Sequence, residues 1–74
     1  MPKDAHIALG IRQAAFRKVG KYKDALHDLN RLILIDPDLS EWHKARSEVY
    51  DKLGNKKEAA VDLEEAKQLD AKGL

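Results

Sequence analysis

The sequence predicts a small all-α fold of four antiparallel helices. Apolar residues recur at three- and four-residue spacing along most of the chain, which is typical of helices with one buried face. Three turn signals, Gly20-Lys21, Asp36-Pro37 and Gly54-Asn55, divide the chain into segments of helical length. The signals of strands, which are strict alternation and Asn-Gly or Asp-Gly turns, are missing from the sequence.

Length and composition restrict the function classes. A single domain of 74 residues buries only about 60% of the surface that its unfolded chain exposes. Cysteine is absent, and the three histidines His6, His27 and His43 lack the spacing of zinc ligands. Phosphate-binding loops and nucleophile motifs are also missing from the sequence. We therefore expect no metal, no cofactor and no enzyme activity.

The charges and the first residues indicate where such a chain works. Charged residues make up 36% of the chain, but the net charge is only +1, which is typical of a solvated surface with mixed charges. No apolar run approaches the ~20 residues of a membrane span, and Met1-Pro2-Lys3-Asp4 does not open a signal peptide. We expect a cytoplasmic protein without membrane contact, with the nucleus as the alternative.

The first helix is predicted from Ala5 to about Val19, with Asp4 as its N-cap because a carboxylate accepts the free amides of a first turn. Its predicted apolar side consists of Ala8, Ile11, Ala15, Phe16 and Val19. The short Gly20-Lys21 turn makes the next helix antiparallel to the first.

The second helix lies between Gly20 and Pro37, since glycine can close the preceding helix and the residue before proline leaves the helical region. Leu34 lies off its main apolar stripe. The stripe consists of Tyr22, Ala25, Leu26, Leu29, Leu32 and Ile33. A stripe this broad predicts a central helix with one neighbour on each side.

The third helix is predicted from Glu41 to Leu53 with Ser40 as N-cap, and the fourth from Lys56 to about Leu69. The apolar residues of the third are Trp42, Ala45, Val49, Tyr50 and Leu53. Those of the fourth are Ala59, Ala60, Leu63, Ala66 and Leu69.

The chain repeats itself with a period of 34 residues and no gap. Shifting by 34 superimposes Arg12 on Arg46, Lys18 on Lys52, Gly20 on Gly54, Lys23 on Lys57, Ala25 on Ala59, Asp28 on Asp62, Leu29 on Leu63 and Asp36 on Asp70. A helix-turn-helix unit repeated at this period indicates a helical array rather than a closed bundle.

The two units resemble the tetratricopeptide repeat family over nearly the whole chain, with repeat one at 6–39 and repeat two at 40–73 of a single domain 1–74. The family's marks in the first unit are Phe16, Gly20-x-Tyr22, Ala25, Leu29 and Asp36-Pro37. In the second they are Tyr50, Leu53-Gly54, Ala59, Leu63, Ala66 and Leu69-Asp70. The chain departs from the family at Arg12 and Arg46, where leucine is usual, and at Gln13 and Ala71.

The resemblance implies a right-handed antiparallel array, an α-solenoid, that binds a peptide or a partner helix in a concave groove lined by the first helix of each unit. On this chain the groove residues would be Ile7, Gly10, Ala14, Arg17, Glu41, Lys44, Glu48 and Asp51. One branch of the family grips the terminal carboxylate of chaperone tails with lysine and asparagine. Gly10 and Ala14 stand at those places in the first unit, so the resemblance does not extend to that activity.

Two candidate sites have simpler interpretations. His27 lies near Asp24 and Asp28, a combination that could serve acid-base chemistry or bind metal, but exposed charges on a solvated helix face explain it better. Trp42-His43 could form a ligand platform, although the spacing of Trp42 favours a side chain that fills the seam between the units.

A basic edge is predicted at the two hairpin turns, because both turns lie on the same side of such an array. It consists of Lys18, Lys21, Lys23, Lys52, Lys56 and Lys57. Basic residues at the ends of helices also complement the helix dipole. The alternative is docking of nucleic acid or another polyanion at this edge.

Self-association is the remaining expectation. Residues 1–37 hold seven Lys and Arg against four Asp and Glu, a net +3, whereas residues 38–74 hold seven against nine, a net −2. Arrays of this kind usually need about three repeats, so we expect a homo-oligomer formed through the terminal helices, or a place inside a longer protein. A marginally stable monomer is the alternative. The function predicted from sequence is a protein-protein interaction scaffold; an accessory domain of a larger enzyme or co-chaperone is the alternative from another class.

Overall fold

A computed structural model describes residues 5–73 of the chain, and four helices dominate it. They are α1 (Ala5–Lys18), α2 (Tyr22–Ile35), α3 (Ser40–Lys52) and α4 (Lys56–Lys72). Each helix packs against the next one along the chain. The all-α prediction of four helices packed against one another is therefore confirmed. The predicted N-cap Asp4 lies outside the described residues.

The two short turns close α1 and α3 with the same hydrogen-bond pattern, a Schellman motif. In the first turn the two bonds run from Gly20 N to Arg17 O (3.2 Å) and from Lys21 N to Phe16 O (2.8 Å). In the second they run from Gly54 N to Asp51 O (3.1 Å) and from Asn55 N to Tyr50 O (2.8 Å). The φ angles are +82° at Gly20 and +84° at Gly54. Only glycine adopts this left-handed conformation without a steric cost, which confirms the predicted role of both glycines.

The hydrophobic core centres on α2. It consists of Leu9, Ala25, Leu29, Leu32, Ala45 and Val49, with Phe16, Tyr22, Leu26, Trp42 and Leu53 partly buried against it. Leu29 and Leu32 are fully buried, whereas Leu34, predicted to lie off the stripe, is 84% exposed. The central position predicted for the second helix is confirmed, because α2 packs against both α1 and α3.

The predicted apolar side of the first helix is wrong in four of its five residues. α1 buries Leu9 and Gln13, and Phe16 is half-buried. The four exposed residues are Ala8, Ile11, Ala15 and Val19. Periodicity locates apolar stripes on a helix but does not say which stripe has a neighbour, and α1 meets α2 through its Leu9 side.

Two helix ends differ from the predictions. The N-cap of α3 is Leu39, without a side-chain hydrogen bond, so the capping role predicted for Ser40 is wrong. The Ser40 hydroxyl instead donates to Asp70 Oδ1 at 2.5 Å, since α4 brings that carboxylate to the start of α3. α4 continues three residues past Leu69 to Lys72, because no proline follows to interrupt it.

Candidate protein-binding surface

An apolar depression of about 530 Å³ lies on α1 beside the first turn of α3. Its lining residues are His6, Ile7, Gly10, Ile11, Ala14 and Trp42. Five of them come from α1 because they share one face of that helix at three- and four-residue spacing. A concave apolar surface of this size suits one or two side chains of a bound segment.

Trp42, the only tryptophan of the chain, forms one wall of this depression. Its ring lies over Gly10, where a Cβ atom would come within 3.1 Å of the ring carbon Cη2. The ring also packs against the core. The first hairpin is α1–α2 and the second is α3–α4. The interpretation that Trp42 fills the seam between these two units is therefore confirmed, although one side of the ring still lines the depression.

Polar contacts join α1 to α3 next to the apolar depression. Arg17 Nη2 donates to Glu48 Oε2 across the two helices, and Arg17 Nη1 lies 3.4 Å from Gln13 Oε1. The buried Gln13 in turn donates to the carbonyl oxygen of Gly10 at 3.0 Å. Among residues 5–73 the buried Nε of Arg17 has no acceptor. The face shared by α1 and α3 is thus apolar at one end and charged at the other.

A second depression, of about 480 Å³, lies between α3 and α4. Its lining residues are Lys44, Ser47, Glu48, Asp51, Lys56, Ala59, Ala60 and Leu63. Leu63 is 45% exposed at its floor. Charged side chains of α3 surround an apolar strip of α4 at this surface.

The structure divides the predicted groove residues between these two depressions. Ile7, Gly10 and Ala14 line the first. Lys44, Glu48 and Asp51 line the second. Arg17 lies between them through its bond to Glu48, and Glu41 is exposed at the start of α3 outside both linings.

The six lysines of the predicted basic edge are all exposed near the two hairpin turns. Lys56 is bound to the carboxylate of Asp51 at 2.6 Å. A lysine held by a carboxylate offers less positive charge to a polyanion, so this contact weakens the edge on the side of the second turn.

Each hairpin contains an ion pair with a buried carboxylate, which apolar periodicity does not predict. Arg12 Nε and Nη2 donate to the two Asp28 oxygens at 2.8 and 2.7 Å. Arg46 Nε and Nη2 donate to Asp62 at 2.7 Å each. Both carboxylates are buried, and each guanidinium lies 5.8 Å from an aromatic centroid, Phe16 or Tyr50. The signal was available, because all four residues are identical between the repeats.

The carboxylates raise the pKa of both arginines above the ordinary value, mainly through these hydrogen bonds. The same bonds correct the interpretation of His27 and its neighbours. His27 and Asp24 are exposed as expected, but Asp28 is 1% exposed and belongs to the core rather than to a solvated face.

His43 was also missed as a core residue. Its ring is buried, with Nε2 3.0 Å from the carbonyl oxygen of Pro37 and Nδ1 3.4 Å from Asp62 Oδ1. A carbonyl oxygen only accepts, so Nε2 carries the donated hydrogen. His43 ties the loop between α2 and α3 to the core, a role that no local pattern indicates.

Hydrogen bonds also lower the pKa of two exposed carboxylates near the second depression. A bond from Lys44, followed by one from Ser40, lowers the pKa of Asp70 below its ordinary value of 3.8. A bond from Lys56 lowers the pKa of Asp51 in the same way. Both groups are therefore ionised at neutral pH and fix the lysines beside the depression.

The described residues contain no group of three or more His, Asp or Glu side chains placed to hold a metal ion. Within the same residues, no helix has the length and apolar character required to cross a membrane.

Comparison with known proteins supplies one informative relative. Over 55 residues the chain is 40% identical to the human protein N-alpha-acetyltransferase 16, NatA auxiliary subunit. The aligned part covers 74% of this chain but only 6% of that protein. No protein-family model matches the chain, and no solved structure matches it. The chain is thus similar to a short part of a much longer auxiliary subunit.

Proposed function

We propose that the protein is a non-catalytic scaffold of the tetratricopeptide type that binds a segment of a partner protein across α1 and α3. The observation that carries this proposal is the apolar depression beside Trp42, continued by the polar contacts of Arg17 with Glu48. An apolar pocket flanked by a few oriented polar groups is the usual form of a recognition surface.

The repetition of local geometry supports two units, 6–39 and 40–73. Positions 34 residues apart share the bidentate ion pair, the contact of its arginine with an aromatic ring, and the glycine turn. Units that repeat at this period stack into arrays whose first helices share one face. This stacking accounts for a binding face made from α1 and α3.

The name of the human relative supports an accessory role. That protein is named as an auxiliary subunit of NatA, and we extend to this chain only the role of an accessory subunit in a protein assembly. An N-alpha-acetyltransferase complex is accordingly the first partner class to test.

The surface defines the kind of segment that fits. An apolar side chain would occupy the depression against Trp42 and Ala14, while a backbone amide of the segment would donate to the exposed carboxylate of Glu48. An extended or helical peptide can make both contacts. Two units offer a small contact area, so we expect affinity in the weak range of transient interactions.

Peptide selection with a fluorescence readout tests the proposal. The chain is used to select from a displayed library of random peptides, and binding of the enriched peptides is followed through the emission of Trp42, the only tryptophan. Ala14 is exposed within the apolar lining, so Ala14→Glu should weaken binding at least about tenfold by placing a charge against an apolar side chain.

The matched control is Leu34→Glu, which adds the same charge at a residue 84% exposed on α2. It should bind like the wild-type chain. Enriched peptides that bind Ala14→Glu as tightly as wild type, or that leave Trp42 emission unchanged, would contradict the proposed surface.

A further inference from the structure

The two hairpins present the same surface in different states, covered in one and open in the other. Counting back 34 residues, the apolar strip of the α3–α4 depression corresponds to Ala25, Leu26 and Leu29 of the first hairpin. There α3 packs over the strip, and Leu29 is fully buried. The counterpart of Leu29 is Leu63, which is 45% exposed. The second hairpin therefore has a surface shaped like one that already receives a helix.

The helix that covers the first hairpin supplies the complementary pattern. α3 and its C-cap pack through Ala45, Val49 and Leu53, which belong to the core or lie against it. Their counterparts on α1 and directly after it are Ile11, Ala15 and Val19. All three are exposed, with Ile11 at 68% and Val19 at 69%. The face of α1 that the sequence predicted to be buried is thus the equivalent of the docking face of α3.

We propose that α1 of a second copy of this chain docks into the α3–α4 depression and extends the array head to tail. In this arrangement Ala15 of one copy lies against Leu63 of the other. Within one chain the corresponding residues, Val49 and Leu29, belong to the same buried cluster. Within one chain, the large Trp42 of α3 lies over the small Gly10 of α1. At the proposed contact the sizes are exchanged, because Ala8 of the docking copy corresponds to Trp42 and Lys44 of the receiving copy corresponds to Gly10. The two faces remain complementary in size.

Charge favours the same pairing. The docking hairpin belongs to the half of the chain with net charge +3, and the receiving hairpin to the half with net charge −2. Opposite charges on two associating surfaces accelerate their encounter and disfavour the reversed pairing of two like halves.

The proposed contact joins two different surfaces, so it does not close on itself after two copies. A heterologous contact produces a ring when its rotation closes and an open chain when it does not. The wild-type protein should consequently form species larger than dimers as its concentration rises.

Complementary blocked variants test this directly. Ala15 on α1 and Ala60 on α4 are both exposed within a single chain, so neither Ala15→Glu nor Ala60→Glu disturbs the core. Each variant blocks one of the two surfaces. Each should raise the dissociation constant of self-association roughly 30-fold or more, the effect of losing a central contact. Leu34→Glu, which adds the same charge elsewhere, should associate like the wild type.

The decisive sample is the equal mixture of the two variants, examined by sedimentation equilibrium with helical content checked by circular dichroism. One free depression and one free α1 face remain, so the mixture should form heterodimers and nothing larger. Val19→Glu with Leu63→Glu provides a second pair.

A wild-type chain that stays monomeric up to about 1 mM would overturn the proposal. So would a blocked variant that still associates like the wild type, or a mixture in which dimers fail to form. This inference rests on the packing of the hairpins rather than on peptide binding, and neither Ala15 nor Ala60 lines the apolar depression. A wild-type chain that binds the selected peptides but stays monomeric would therefore refute this inference alone.

Discussion

The ion pairs of the two hairpins have nearly the same geometry but different surroundings. The Arg12 side chain is 56% exposed above Asp28, whereas the Arg46 side chain is 22% exposed above Asp62. Arg46 also donates to Asn30 of α2 at 3.0 Å, and Asp62 also faces His43. The first pair stabilises one hairpin, while the second connects the two hairpins.

This difference separates what a repeat does alone from what its position in the array adds. The bidentate bonds join α1 to α2 and α3 to α4 in the same way, because the same residues recur at the same places. The bond to Asn30 exists only because α3 has α2 beside it. Equal local sequence therefore produces equal local geometry, but different contacts with the rest of the fold.

The largest effect on the free energy of unfolding should come from neutralising each of the two buried carboxylates. Asp62→Asn leaves Arg46 largely buried without its counter-charge, which should lower the free energy of unfolding by about 3 kcal/mol. Asp28→Asn should cost clearly less, because Arg12 is already half in water and can be solvated. Urea unfolding followed by circular dichroism measures both. Equal losses, or a larger loss at Asp28, would show that burial of the arginine is not what distinguishes the pairs.

Substitution of the turn glycines should lower the free energy of unfolding equally at both turns, in contrast to the ion pairs. Gly20→Ala and Gly54→Ala each place a Cβ atom at a left-handed residue, and beyond the adjacent residues of the chain no heavy atom of the described structure lies within 4 Å of that position. The cost is therefore conformational and should be roughly 1 to 2 kcal/mol at either position. Thermal and urea unfolding of the two variants provide the measurement. A difference of more than about 1 kcal/mol would mean that the two turns are not equivalent.

Replacing His43 by leucine, the residue at the equivalent position of the first hairpin, tests how much the buried histidine contributes to stability. The counterpart of His43 is Leu9, and His43→Leu removes the hydrogen bond from Nε2 to the Pro37 carbonyl oxygen. We expect a loss of about 1 kcal/mol. The reverse change is not an adequate control, since it buries a new polar ring. His27→Leu, at an exposed histidine of α2, provides the matched control and should change the unfolding free energy much less.

The smallest expected effect is a loss of stability at acidic pH, and it should arise from carboxylates of the second hairpin. Hydrogen bonds lower the pKa of Asp51 and Asp70 in the folded state below the ordinary 3.8. Stability from such groups is fully present above the unfolded pKa and is lost as pH falls through the folded pKa. The free energy of unfolding should therefore decrease as pH falls below 3.8. Asp51→Asn and Asp70→Asn should each make that decrease shallower, and an unchanged slope in both would contradict the assignment.

The helix count, the turns and the central helix were predictable from sequence. The α2 stripe is reliable because α2 has a neighbour on both sides, so its broad apolar surface is buried as the pattern indicates. α1 has the same kind of stripe with less cover, and the prediction failed at Ile11 and Val19 for that reason. Apolar periodicity measures what a helix could bury, while burial also requires a neighbour.

The polar interior was harder to predict. Charged residues are rarely buried without partners, so Arg12 and Asp28 appeared as a departure from the family pattern and an exposed charge. They are 16 residues apart in the chain, and a helical hairpin brings them together. The candidate surface was predicted in part: Ile7, Gly10 and Ala14 share one apolar depression, but the charged residues of α3 lie mainly in another.

The sequence by itself determined the elements that depend on neighbouring residues: four helices, two left-handed glycine turns and a 34-residue repetition. These follow from local backbone conformation and helical periodicity, which act over a few residues. Only the tertiary structure decided which apolar faces of α1 are covered, which charges are buried, and that His43 is a core residue. Those outcomes depend on helices that meet in space, where desolvation and packing act on residues far apart in the chain.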